Sequence, residues 1–91
     1  MIDAAQVRAA RGLLDLSQIE LSHLASVSVA TVKRVEAATA IRGSAEAVWK
    51  IETALEAAGI EFISADENKG SGVRLKLPRA NRPARRRTRK R

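Results

Sequence analysis

The sequence predicts a mainly α-helical fold: a small four-helix bundle, then a C-terminal β-hairpin, then a disordered basic tail. Three observations carry that expectation. Asp3, Ser17, Ser28 and Ser44 are side-chain caps, each followed by apolar residues at three- and four-residue steps. After Gly59 the period changes to two, in residues 60–63 and again in residues 73–77. Beyond Pro78, eight basic side chains fall in thirteen residues that hold nothing apolar larger than Ala80, Pro83 and Ala84. The expected boundaries are residues 1–59 for the bundle, 60–78 for the hairpin and 79–91 for the tail.

The first helix begins at Asp3, with Gln6 three residues on as the partner in a capping box. Val7, Ala10, Leu13 and Leu14 form its inner face, and Gly12 lies near its C-terminal end. Arg8 and Arg11 point elsewhere, either as favourable charge in the last turns of a helix or as phosphate contacts. Asp15 and Leu16 lead to Ser17, which caps the second helix with Glu20 as its capping-box partner. Leu21, Leu24 and Ala25 give this helix an inward face. Only Ser26 and Val27 separate it from the next cap, Ser28, after which Val32 and Val35 continue an apolar stripe to about Ala38. So short a connection makes a helix-turn-helix corner, whose second helix can enter the major groove of DNA.

Residues 39–43 form a loop. Ser44 then caps a fourth helix with Glu46 in its first turn and Val48, Ile51, Leu55 and Ala58 on its inner face. Trp49 falls off that stripe, as a partly exposed packing residue or a dimer contact. Gly59 ends the helix. The segment between the two strands is rich in turn formers, so they pair as a hairpin. A lone hairpin is marginal in water, so this one packs on the helices or pairs with a second chain.

Residues 17–38 resemble the Cro/phage-repressor-like (Xre-type) helix-turn-helix DNA-binding family. Gln18, Leu21, Ser22, Ala25, Val27, Ser28, Thr31, Val32, Val35 and Glu36 stand where the family pattern expects them. With the flanking helices, the resemblance covers roughly residues 1–58 and implies a lambda-repressor-like bundle. Ser26 and Ala38 depart from it, standing where the family commonly has glycine. A non-glycine residue at positive φ costs on the order of 1 kcal/mol, which the fold can bear.

The resemblance also implies a DNA-reading surface. Gln18 sits where the backbone approaches, its amide free to donate to a phosphate or to brace a base-contacting side chain. Val29, Ala30, Lys33 and Arg34 match the base-facing positions of the third helix, with Ser28 and Thr31 nearer the phosphates. Lys33 and Arg34 are the strong donors there, and arginine to guanine O6 and N7 is the commonest specific contact. Val29 and Ala30 suit a thymine methyl rather than a base-edge hydrogen bond. Arg42 falls where a phosphate or minor-groove contact is common. Glu36 would repel phosphates, so it is read as structural, paired with a nearby arginine.

Composition narrows the alternatives. There is no cysteine, and His23 is the lone histidine, so neither disulfides nor a metal site is expected, and no cofactor motif is visible. No Ser/His/Asp set, paired-carboxylate pocket or Gly-rich phosphate loop points to an enzyme. Trp49 and Phe62 are the only aromatics, too few for the stacking platforms of single-strand or RNA binding. No apolar run approaches a membrane span and the N-terminus lacks a signal-like apolar stretch, so a cytoplasmic protein without a membrane partner is expected. The net charge of +7 is uneven, because residues 1–78 hold nine basic and ten acidic groups. The expected function is that of a sequence-specific, double-stranded-DNA-binding transcriptional regulator, a homodimer with residues 28–38 in the major groove. Two rivals stand beside it: an antitoxin or anti-activator that chiefly holds a regulatory protein partner, and a non-specific nucleic-acid binder acting through the tail.

Overall fold

The architecture, taken from a computed structural model, is described for residues 2–37 and 44–78. Ala38, the expected loop at 39–43 with Arg42, and the basic segment 79–91 lie outside the described residues. Four helices, α1 (Ala4–Leu14), α2 (Gln18–Ala25), α3 (Val29–Ala37) and α4 (Ala45–Ala57), precede an antiparallel hairpin of β1 (Ile60–Ile63) and β2 (Gly72–Leu75). The expected class, mainly helical with a C-terminal hairpin, is the observed one.

Local chemistry explains where each helix starts. Asp3 and Ser17 accept from the amides of Gln6 and Glu20, whose side chains accept in return from the cap amides, so both capping boxes close. Ser28 Oγ accepts from Thr31 N at 3.0 Å, and Ser44 Oγ from Ala47 N at 3.0 Å. The ends of α1 and α2 share one device. Asp15 (φ 60°) and Ser26 (φ 58°) are left-handed, and the amides of Leu16 and Val27 reach back to Arg11 O and Ser22 O. This is the Schellman pattern, closed here without glycine. Gly12 lies near the C-terminal end of α1 as expected, exposed in its last turn, and the left-handed residue that follows the helix is Asp15. Gly59, at φ 114°, does end α4 as expected.

Since Ser26 holds a left-handed conformation with its side chain exposed, Ser26→Gly relieves strain at no packing cost. The substitution is expected to stabilise the protein by up to about 1 kcal/mol. Thermal or urea unfolding measures it, and a clear fall in melting temperature would contradict this account of the corner.

Leu21, Ile51, Leu55, Ile60, Val7, Val32 and Val35 are the largest fully buried side chains, so every helix and β1 contribute to one core. Two expected core positions are not there. Leu24 is 54% exposed, and the small Ser22 is buried in its stead, its hydroxyl donating to Ile19 O at 2.6 Å. With only eight residues, α2 buries a narrow stripe through Leu21, Ser22 and Ala25, and Leu24 falls on its flank. Ala58 is exposed, because it forms the cap beyond the last turn of α4 rather than part of its face.

The hairpin packs on the helices. β2 begins at Gly72, one residue earlier than its alternation suggests, and ends at Leu75. Ile60 pairs with Leu75 and Phe62 with Val73, and these four side chains face the core. Glu61 and Arg74, paired on the other face, form an exposed ion pair at 3.0 Å. Arg74 holds the Glu61 carboxyl below its usual range. The pair therefore favours the fold above the usual carboxylate range, and its contribution is lost as pH falls through the lowered value. β2 lies against α1 and β1 against α4. Gln6, buried on α1, secures the far end of the ribbon: its Nε2 donates to Ile63 O at 3.2 Å and Gly72 O at 2.9 Å.

Candidate nucleic-acid interface

α3 presents three of its sides differently. Val32, Val35 and Glu36 are buried; Val29 and Thr31 are half-buried flanks; Ala30, Lys33, Arg34 and Ala37 are exposed. Helical spacing puts the last four together on the outward face. That face carries two cations, two small alanines and no acid. The alanines let the backbone approach a surface closely, and the cations flank them. Ala37 belongs to this face by periodicity, although the family pattern did not single it out.

Polar groups run along one edge of α3. The Ser28 and Thr31 hydroxyls share a hydrogen bond of 2.9 Å, and Arg34 Nη2 reaches Thr31 Oγ1 at 3.5 Å, the outer limit of such a contact. Residues 28, 31 and 34 thus form one row that draws the guanidinium towards the N-terminal end of α3. Lys33 lies on the opposite edge of the exposed face. Of the expected contact residues of α3 and its cap, Ser28, Ala30, Lys33 and Arg34 are exposed, while Val29 and Thr31 are half-buried. Arg42 is not among the described residues.

Behind this face, Glu36 holds α3 in place. Its side chain is 3% exposed and accepts two bonds from Arg11, Nε to Oε2 and Nη2 to Oε1, both at 2.9 Å. Gln18 Nε2 donates to Oε1 at 3.1 Å, Arg11 Nη1 donates to Leu16 O at 3.1 Å, and Arg8 Nη1 donates to the backbone carbonyl of Glu36. The bidentate pair is the strong form of this interaction. Hydrogen bonding to Glu36 raises the Arg11 pKa above its ordinary value against the opposing effect of burial, so its charge persists at every accessible pH.

These bonds give each of the residues that the sequence left open a partner inside the fold. Arg11 has all three of its guanidinium nitrogens engaged inside the protein and serves the fold. Arg8 is exposed and caps a carbonyl in the last turn of α3, where a cation opposes the helix dipole. Gln18 braces the buried carboxylate through its side-chain amide. The pairing of Glu36 with an arginine is as expected from its sign, and it removes the one acid of α3 from the outward surface.

Among the described residues, no group of three or more His, Cys, Asp or Glu side chains is placed to hold a metal ion. Among them also, no helix is long and apolar enough to cross a membrane. No protein-family model matches the chain, and no curated protein sequence matches it.

Proposed function

We propose that this chain is a sequence-specific, double-stranded-DNA-binding transcriptional regulator of the Cro/phage-repressor-like (Xre-type) class. The observation that carries the reading is the outward face of α3: Lys33 and Arg34 exposed beside Ala30 and Ala37, with Glu36 turned inward. A major groove about 12 Å wide admits one helix, and close approach needs small side chains flanked by donors. In this reading Arg34 reads a guanine, Lys33 and the Ser28–Thr31 row meet phosphates, and Gln18 orients the start of α2 through Glu36. The basic tail adds sequence-independent attraction, because residues 1–78 carry slightly more acid than base.

Selection of bound fragments from genomic DNA tests the proposal and returns the operator. Arg34→Ala is then expected to weaken binding to that operator by about 1–3 kcal/mol and to flatten preference at one base pair per half-site. Lys33→Ala should give a smaller, more uniform loss. Unchanged affinity and preference in Arg34→Ala would move the reading surface elsewhere.

One module of this size buries too little surface for tight site selection, so the regulator acts as a homodimer on a two-fold operator. Sedimentation at micromolar concentration is expected to show a dimer, or a monomer that pairs on a palindrome. A protein that binds the palindrome one copy at a time, without cooperativity, would remove the dimer from the proposal.

A further inference from the structure

We propose that the basic segment 79–91 docks back on the outward face of α4, its arginines against Trp49, Glu52 and Glu56, and that DNA competes for the same charges. The docking stands on the geometry of α4. The competition rests on the DNA-binding reading above.

α4 buries Val48, Ile51 and Leu55 on one side. On the other lies Trp49, at 63% the most exposed of the large hydrophobic residues among those described. Glu52 and Glu56 follow at three and seven residues and share its side of the helix. α4 has three glutamates and one lysine, Lys50, which pairs with Glu46 at 3.6 Å. Among the described residues, the Glu52 and Glu56 carboxylates have no cationic partner. An exposed indole beside two uncompensated carboxylates suits an arginine, whose plane stacks on the ring while its charge meets the acids. The aliphatic stem of the same side chain covers apolar surface as it lies down.

The position of the last described residues points to the occupant. Lys76 N donates to Gly59 O at 2.8 Å, and Lys76 Nζ to Glu56 O at 2.9 Å. These bonds hold the end of the hairpin at the C-terminal end of α4, where the helix supplies no basic residue of its own. Only Leu77 and Pro78 separate Lys76 from Arg79. Thirteen extended residues reach about 40 Å, against about 20 Å for the length of α4, so the segment can pass Glu56, Glu52 and Trp49 in turn. It carries eight cations and no acidic side chain. A second copy is the poorer occupant, because it would set Glu52 and Glu56 against the same residues of its partner.

Trp49 is the only tryptophan and there is no tyrosine, so intrinsic fluorescence reports this face alone. Acrylamide, an uncharged quencher, measures how far the ring is covered. The full chain is compared with the same chain bearing Arg82→Gln, Arg85→Gln, Arg86→Gln, Arg87→Gln and Arg89→Gln, and with the full chain bearing Glu52→Gln and Glu56→Gln. At about 20 mM salt the full chain is expected to be quenched about twofold less than either variant. The difference should vanish by about 0.5 M, where screening shortens the reach of charge to about 4 Å. Equal quenching of all three chains at every salt concentration would overturn the docking. Protection that rises with protein concentration and persists in the arginine variant would assign the face to a second copy instead. Addition of duplex DNA should raise quenching of the full chain to the level of the variants. Protection unchanged with the duplex bound would overturn the competition alone. Failure to bind any duplex would remove the functional proposal and leave the docking, measured without DNA, standing.

Discussion

Arg11→Met is expected to destabilise the protein by about 3 kcal/mol or more, the cost of leaving a buried carboxylate without its cation. Methionine keeps the apolar bulk of the arginine stem, so the loss is electrostatic rather than a cavity. Glu36 would retain only the Gln18 amide at 3.1 Å in a site that is 3% exposed. The complementary change, Glu36→Gln, should be milder, because the Arg11 side chain is 25% exposed and can turn its charge to water. Replacing both, as Arg11→Met with Glu36→Leu, should recover much of the loss, since an apolar pair of similar volume often matches a buried ion pair. Urea unfolding of the three variants measures all of this. An Arg11→Met protein within about 1 kcal/mol of wild type would show that the pair contributes little to stability.

The second large effect is expected at Gln6. This side chain closes the capping box of α1 through Oε1 and bridges the two strands through Nε2. Gln6→Leu fits the buried site but leaves Asp3 N, Ile63 O and Gly72 O without these partners. An unmade buried hydrogen bond costs about 1–3 kcal/mol, and water at this rim can replace part of the loss, so a total of about 2–4 kcal/mol is expected. Hydrogen exchange separates the local effect from the global one. Amides of β1 and β2 should lose protection beyond the loss in Leu21, Val32 and Ile51. Uniform loss across helices and strands would mean that Gln6 stabilises the bundle without holding the ribbon.

Why was Gln6 legible in one role and not in the other? Its partnership with Asp3 lies within three residues, so spacing alone reveals it. Its bonds to Ile63 and Gly72 span 57 and 66 residues, and no local pattern records them. Glu36 shows the same division. Its sign argued against a phosphate-facing role, but nothing in the sequence chose Arg11 over Arg8 as its partner. Leu24 shows a different limit. Helical spacing admits it to the inner face, yet a two-turn helix has room for only one stripe, and the width of the neighbours decides which residues fill it.

The candidate surface divides along the same line. Ser28, Thr31 and Arg34 lie three residues apart, so their common edge on α3 was readable from number alone, as were Lys33 and Ala30 beside it. That this edge faces outward depends on Val32, Val35 and Glu36 meeting the rest of the core. By itself, the sequence determined the caps, the helix-turn-helix spacing, the change of period after Gly59 and the concentration of charge beyond Pro78. All of these are interactions or patterns within a few residues, whose energetics do not depend on the rest of the chain. Only the tertiary structure decided that Arg11 is consumed by Glu36, that Ser22 replaces Leu24 inside, and that Gln6 ties the hairpin to α1. Each of those requires two distant segments to meet, and which segments meet is decided by packing the whole core at once.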